Sequence, residues 1–205
     1  TVASALSIYR RTGDPYCGPV SILSAGNGSL MRLAPIPMFY YPDEVATDRY
    51  AAASSRTTHG AKECVDSCRL FAQILRRALA GEPKGAVIGD SALTFSGAPK
   101  VVEIAKCEYA DKDRSQIKGS GYVVDCLEAA LWCFHLTDTF EGAILEAANL
   151  GDDADTTAAV CGQVAGAYYG ASGIPQRWLE RLVLRDFITN LADRLRTVGD
   201  TAISS

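Results

Sequence analysis

The 205-residue sequence has no apolar run of membrane-spanning length, no cluster of lysines and arginines, and no C-x-x-C pair. Each lack removes a class of protein. Without roughly 20 consecutive apolar residues there is no transmembrane helix, and the start TVASALSIYRRTG has no signal-peptide core, so no membrane partner is expected. A net charge of -4 with no basic patch argues against nucleic acid as a partner. The seven cysteines (Cys17, Cys64, Cys68, Cys107, Cys126, Cys133 and Cys161) are odd in number, and several sit within apolar helical patterns. They read as reduced core residues of a cytoplasmic protein. Cys64 and Cys68 share a helix face, but no second Cys or His pair stands at zinc spacing, so packing is the better reading.

Strand signals are equally scarce. GAVIGD (residues 85–90) is the one short candidate, and it reads as a strand or as a turn between helices. No internal repeat and no Gly-, Ser- or Pro-rich linker divides the chain. What remains is helical. Residues 2–9 begin in mid-pattern, and residues 61–79 carry apolar positions at the 3.6-residue period until Gly81 and Pro83 stop them. Residues 121–136 are apolar nearly all round, which implies burial of that helix, His135 included. Asp138-Thr139-Phe140-Glu141 resembles a capping box led by Asp138, opening a helix that ends near residue 151. Further helices are expected over residues 154–169 and, started by Pro175, over residues 176–195. The expectation is a single helical domain over residues 1–205. Its long irregular stretches, residues 11–28 and 109–120, are where function should concentrate.

Within residues 154–169 a ridge of small residues recurs every four positions: Ala158, Gly162 and Gly166, continuing to Gly170. Glycine inside a helix costs about 1 kcal/mol relative to alanine, so close approach of a neighbouring helix is expected to offset it. The same segment begins with GDDADTT, where Asp152, Asp153 and Asp155 crowd a helix entry. One carboxylate suffices for N-capping, whereas three repel one another. A hard divalent cation held by oxygen ligands relieves that repulsion, and metal binding is preferred over simple capping.

Two enzyme classes use such a cluster. Asp153-Ala-Asp155-Thr-Thr157 matches the D-x-D-x-T of haloacid-dehalogenase-type phosphatases, but that motif follows a buried strand, and the residues before it here are helical in period. The other match is wider. GDDADTTAA (residues 151–159), SAGNGSLMRLAPIP (24–37), SSRTTHGAKECVDSC (54–68) and GSGYVVDCLEAALW (119–132) resemble, in order, four motifs of the ADP-ribosylglycohydrolase family, the relatives of dinitrogenase-reductase-activating glycohydrolase. Asp152 stands where that family's motif has a second glycine.

The resemblance implies an all-α fold, a compact orthogonal bundle of many helices. It implies a hydrolase that cleaves the C1″ bond between ADP-ribose and a protein side chain, with the arginine-type N-glycosidic bond favoured. The ADP-ribosylated protein, or an ADP-ribose-type small molecule, is then the partner. It also implies two Mg²⁺ (or Mn²⁺) ions. Asp153, Asp155 and Thr156 would be metal ligands, with Asp153 and Asp155 also carrying catalysis. Gly26, Asn27, Gly28, Ser29, His59, Gly119, Gly121 and Tyr122 would line the substrate site. The family's Thr-Asp-Asp-Thr motif and its GDALG-like segment do not occur in these residues. The expectation is therefore the C-terminal portion of such a domain, catalytically incomplete until a separate N-terminal chain or segment completes the site. The alternative is a non-catalytic ADP-ribose-binding or structural relative on the same fold.

Overall fold

The computed structural model describes residues 1–89 and 95–203. Twelve α-helices follow one another among them: α1 Val2–Thr12, α2 Gly28–Met31, α3 Pro35–Tyr40, α4 Glu44–Arg56, α5 Lys62–Leu79, α6 Lys84–Gly89, α7 Pro99–Ala105, α8 Val123–Leu136, α9 Phe140–Ala148, α10 Ala154–Tyr169, α11 Gln176–Leu179 and α12 Arg185–Ile203. Strand geometry among the described residues is limited to an isolated antiparallel bridge between Gly26 and Tyr122. The all-α expectation holds. None of the helices is long and apolar enough to cross a membrane.

The core lies where α5, α8 and α10 meet, with α9 laid along α10 and α4 along α5. On α5, Cys64, Cys68, Phe71, Ile74 and Leu75 face inward, following the period read from sequence. From Val123 to Phe134, α8 is buried on nearly every side, which explains its uniform apolarity. All seven cysteines are free. Burial pushes the Cys64 thiol up to about 12, so it serves as a small protonated packing group.

Five local expectations need correction. Residues 84–89 of the GAVIGD region are helical, since Val87 and Ile88 bury against the core and no strand among the described residues offers a ladder; Asp90 lies outside the described residues. The cap of α9 is Thr139, whose hydroxyl accepts from the Gly142 N–H at 3.0 Å, while Asp138 is exposed. That helix also ends at Ala148, short of residue 151. His135 sits at the exposed end of α8, edge-on to Tyr109, where the helix has already left the core. The expected helix 176–195 is two helices, because Leu184 takes a left-handed backbone (φ 60°) between α11 and α12.

The small-residue ridge of α10 faces α9, and its members differ. A Cβ on Gly162 would stand 3.4 Å from Ile144 Cδ1, whereas on Gly166 the nearest atom would be Phe140 Cε2 at 3.9 Å, an ordinary contact. Gly166 also borders a cavity of about 230 Å³ lined by Pro37, Leu75 and Leu79 among others. Gly170 is not interior at all; it is the C-cap, with φ 70°. The tight crossing lies elsewhere, at Gly199 of α12, where a Cβ would stand 2.1 Å from the Phe39 carbonyl oxygen of α3.

Two alanine substitutions should therefore part in sign. Gly166→Ala should leave the unfolding free energy unchanged or raise it, by up to about 1 kcal/mol of helix propensity. Gly199→Ala should lower it by roughly 1–3 kcal/mol, because main chain and not a flexible side chain must yield. Equal effects in thermal unfolding would contradict this placement of the close contact.

Candidate functional site

Three segments far apart in sequence converge at the N-terminus of α10. The Gly26–Tyr122 bridge lays residues 25–27 beside residues 121–123: the Asn27 N–H donates to the Gly121 carbonyl (3.1 Å) and the Val123 N–H to the Ala25 carbonyl (2.9 Å). The Asp153 N–H donates to the Gly119 carbonyl (2.8 Å), which ties the aspartate loop to the same hairpin-like pair. Side chains close the triangle. Asn27 Nδ2 donates to Asp153 Oδ2 at 2.7 Å, and Thr156 Oγ1 donates to Asp153 Oδ1 at 3.0 Å.

These bonds remove simple capping as the role of the Asp153 side chain. Asp153 is the N-cap residue of α10, yet its side chain makes no capping bond to the helix backbone. Its carboxylate is directed toward Asn27 and Thr156 instead. Asp155 is exposed and Thr156 is buried. The loop before them runs through two left-handed residues, Gly151 (φ 83°) and Asp152 (φ 52°). Aspartate tolerates that conformation better than most side chains, so Asp152 can stand where the family motif has glycine.

His59 forms the floor. Its backbone is held by the His59 N–H to Ser55 carbonyl bond (2.7 Å), and by the buried Ser55 hydroxyl, which donates to the His59 carbonyl (2.9 Å). Residues 18 and 60 touch through bare backbone: a Cβ on Gly60 would stand 2.3 Å from the Gly18 carbonyl oxygen. The imidazole lies under the glycine loop, with Cε1 2.9 Å and Nε2 3.1 Å from where a Cβ on Gly28 would be. No side chain fits at residue 28 without moving the ring.

The structure thus brings together Gly26, Asn27, Gly28, His59, Gly119, Gly121, Tyr122, Asp153 and Thr156. Ser29 departs from the expected set: it is buried, and its hydroxyl lies against the Cys68 thiol on the core side. Asp155, two residues after Asp153 in the first turn of α10, is exposed and makes no side-chain bond among the described residues.

Three neighbours were not singled out from sequence. Glu63 is only 9% exposed and its Oε2 has no hydrogen-bond partner, although it lies beside the Tyr122 hydroxyl. Burial first, and then Glu63, raise the Tyr122 phenol well above its usual range. Lys100 Nζ donates to Tyr122 Oη at 3.3 Å and lies 5.0 Å from the ring centre. Arg32 bonds to the turn that carries His59. Glu63 and Arg32 fall inside the quoted motifs, but their spacing resembles ordinary helix-surface charge. Only the folded contacts distinguish them.

The profile of the ADP-ribosylglycohydrolase family matches residues 1–203. The chain belongs to that family. It is 41% identical over 192 residues to the ADP-ribosylarginine hydrolase Tri1 of Pseudomonas putida (strain GB-1), covering 94% of this chain and 51% of that protein. It is 29% identical over 169 residues to the ADP-ribosyl-[dinitrogen reductase] glycohydrolase of Rhodospirillum rubrum, covering 82% of this chain and 54% of that one. A solved ADP-ribosylglycohydrolase-related protein complex superposes with a TM-score of 0.87 at 40% identity, over 97% of this chain and 68% of that chain. The chain spans about half the length of the curated relatives it matches.

Hydrolases of this family depend on a metal ion. Asp153, Asp155 and Thr156 are hard oxygen donors and suit a hard divalent cation in kind. In number they do not complete a site: no group of three or more His, Cys, Asp or Glu side chains among the described residues is placed to hold an ion. They form one side of a coordination shell at most.

Burial chiefly, then the positive charge of Arg32, lower the His59 pKa below its ordinary 6.5. The unfolded chain therefore takes up a proton more readily as the pH falls. Stability from the neutral ring is full above about pH 6.5 and is lost as the pH drops below it. Melting temperature should fall as the pH drops from above about 6.5 to below it, and His59→Gln should flatten that dependence. Equal pH slopes for parent and variant would show that the ring is not held neutral.

Proposed function

We propose that this chain forms the ADP-ribose-facing part of a hydrolase that removes ADP-ribose from modified arginine side chains. The observation that carries the reading is the Asn27–Asp153 hydrogen bond. It holds the glycine loop and the aspartate helix, the two motifs that most resemble the family's, in one site above His59. The names of the relatives support arginine as the acceptor and an ADP-ribosylated protein as the substrate. The seven free thiols accord with a cytoplasmic setting.

The residues divide the work by chemistry. Gly26 and Gly28 present bare backbone, so a ribose or diphosphate can approach closely. Tyr122, braced by Lys100, offers a ring face and a hydroxyl to the nucleotide end. Asp153 is already bonded on both oxygens, which suits it to holding geometry. Asp155, free of protein bonds among the described residues, is the carboxylate available to take a proton from an attacking water. Water adds to C1″, the C1″–N bond breaks, and the leaving guanidine gains a proton. Mg²⁺ or Mn²⁺, two ions in the complete site, would orient the ribose hydroxyls and lower the pKa of the water. Asp153, Asp155 and Thr156 would contribute their side of that shell. The remaining ligands would come from a Thr-Asp-Asp-Thr-bearing segment or chain, with residues 1–205 acting as the C-terminal portion of the domain.

That no three-ligand group occurs among the described residues also favours a second reading, a non-catalytic ADP-ribose-binding module. Release of ADP-ribose from an ADP-ribosylated arginine peptide separates the two. The 205 residues alone should release little. Addition of the complementary segment should give Mg²⁺-dependent release, and in that active form Asp155→Asn should cost roughly 100-fold or more in rate. Because Asp155 is exposed, its melting temperature should not change. Tight ADP-ribose binding without release under every metal and segment condition would establish the binding module instead. Mn²⁺ soaked into crystals should give anomalous density beside Asp153 and Asp155; density only at remote acidic sites would remove the metal assignment.

A further inference from the structure

The chemistry around His59 extends outward to a residue that lies on the surface. Arg32, just after α2, reaches the turn at the end of α4 with four hydrogen bonds: Nη1 to Ser54 Oγ (3.0 Å), and Nη2 to the Ser54 carbonyl (2.8 Å), Thr57 Oγ1 (3.1 Å) and Thr58 Oγ1 (2.8 Å). Thr58 Oγ1 is in turn 2.9 Å from His59 Nδ1.

Donor and acceptor counting within the protein favours one direction for this chain, with the two Nη2 hydrogens of Arg32 shared among three acceptors. A guanidinium only donates, so both threonine oxygens accept from Arg32. Thr57 passes its own hydrogen to the Ser54 carbonyl at 2.8 Å. Thr58 has no acceptor among the described residues other than His59 Nδ1. If Nδ1 carried a hydrogen, Thr58 Oγ1 would receive two donors and its own hydrogen would be left to solvent. The arrangement that satisfies every group within the protein has Thr58 donating to Nδ1, which places the ring hydrogen on Nε2. That Nε2 has no protein partner among the described residues, and it lies under Gly28 and 3.8 Å from the Cβ position of Gly26.

We propose that Arg32 and Thr58 are positioning residues that lock His59 into the Nε2–H tautomer, so that the ring presents a hydrogen-bond donor to an oxygen of the ligand in the glycine loop. Arg32 acts through Thr58: its charge polarises the hydroxyl and makes it a stronger donor to Nδ1. The lowered His59 pKa accords with this, since a neutral ring has one donor nitrogen and one acceptor nitrogen. The choice of ligand rests on the ADP-ribose reading; the tautomer does not.

The chain has only two histidines, so ¹⁵N-labelled imidazoles can be assigned by NMR without ambiguity. In the ligand-free protein at neutral pH, His59 should show an unprotonated Nδ1 and a protonated Nε2. Thr58→Val keeps the shape of the side chain and removes the hydroxyl, and should give a mixture of tautomers. Thr58→Ser should restore the single form, and Arg32→Met should weaken it. With ADP-ribose as the probe, Thr58→Val should lose about tenfold in affinity, the effect of one ordinary hydrogen bond, and Thr58→Ser should recover it. A protonated Nδ1 in the parent, or an unchanged tautomer in Thr58→Val, would overturn the positioning role. An unchanged tautomer population with reduced affinity would likewise count against it, because the loss would then come from elsewhere. Failure of the parent itself to bind ADP-ribose would instead remove the ligand assignment, and the tautomer data would still decide the relay.

Discussion

One hydrogen bond between side chains 126 residues apart, from Asn27 to Asp153, sets the arrangement on which the site depends. Asn27 is fixed through its backbone to Gly121, and Asp153 through its backbone to Gly119. The side-chain bond therefore links two ends of one backbone scaffold and leaves little freedom for slippage. A partly buried bond to a charged acceptor is stronger than one between neutral groups, and losing either partner leaves the other poorly satisfied. Gly119 itself is hemmed by the Gly151 carbonyl and Thr157 Oγ1, so the scaffold is close-packed as well as hydrogen-bonded.

The helical core exists to keep that scaffold still. The buried face of α10 packs on α8 and α9, and Gln163 reaches out of α10 to accept from the Ala34 N–H and donate to the Leu30 carbonyl. The helix that carries the aspartates is thus bonded directly to the segment that follows the glycine loop. Cys64 of α5 adds a weaker bond, its thiol donating to the Gly26 carbonyl at 3.4 Å. Core packing and site geometry are supported by the same side chains.

Much of this was legible because periodicity and backbone chemistry leave marks in sequence. The limits of α10 were readable from the aspartates at one end and Gly170 at the other, and burial of α8 from its unbroken apolarity. The motif residues Asn27, His59 and Asp153 were marked in the sequence, and the fold brings them together, though the bonds between them were not readable. Other features were hidden for physical reasons. Thr139 and Asp138 are both good caps, and only backbone geometry chooses between them. The break at Leu184 has no glycine or proline to announce it. Ser29 shares a loop with Gly28, yet the turn of α2 sends its hydroxyl toward Cys68. Arg32 looks like any surface arginine until its contacts with Ser54, Thr57 and Thr58 are seen.

The crossing of α12 over α3 has a consequence for how the molecule opens. Gly199 rests on the Phe39 carbonyl, and Arg196 donates to the Tyr41 carbonyl at 2.8 Å, but Phe187, Ile188 and Leu191 nearer the start of the helix are exposed. The helix is thus pinned near one end and bare at the other. Its first turns hold few buried contacts, so their amides should exchange with solvent through small local openings, while those of α8 should exchange only through global unfolding. The start of α12 is thus a loosely seated lever on the surface of the molecule.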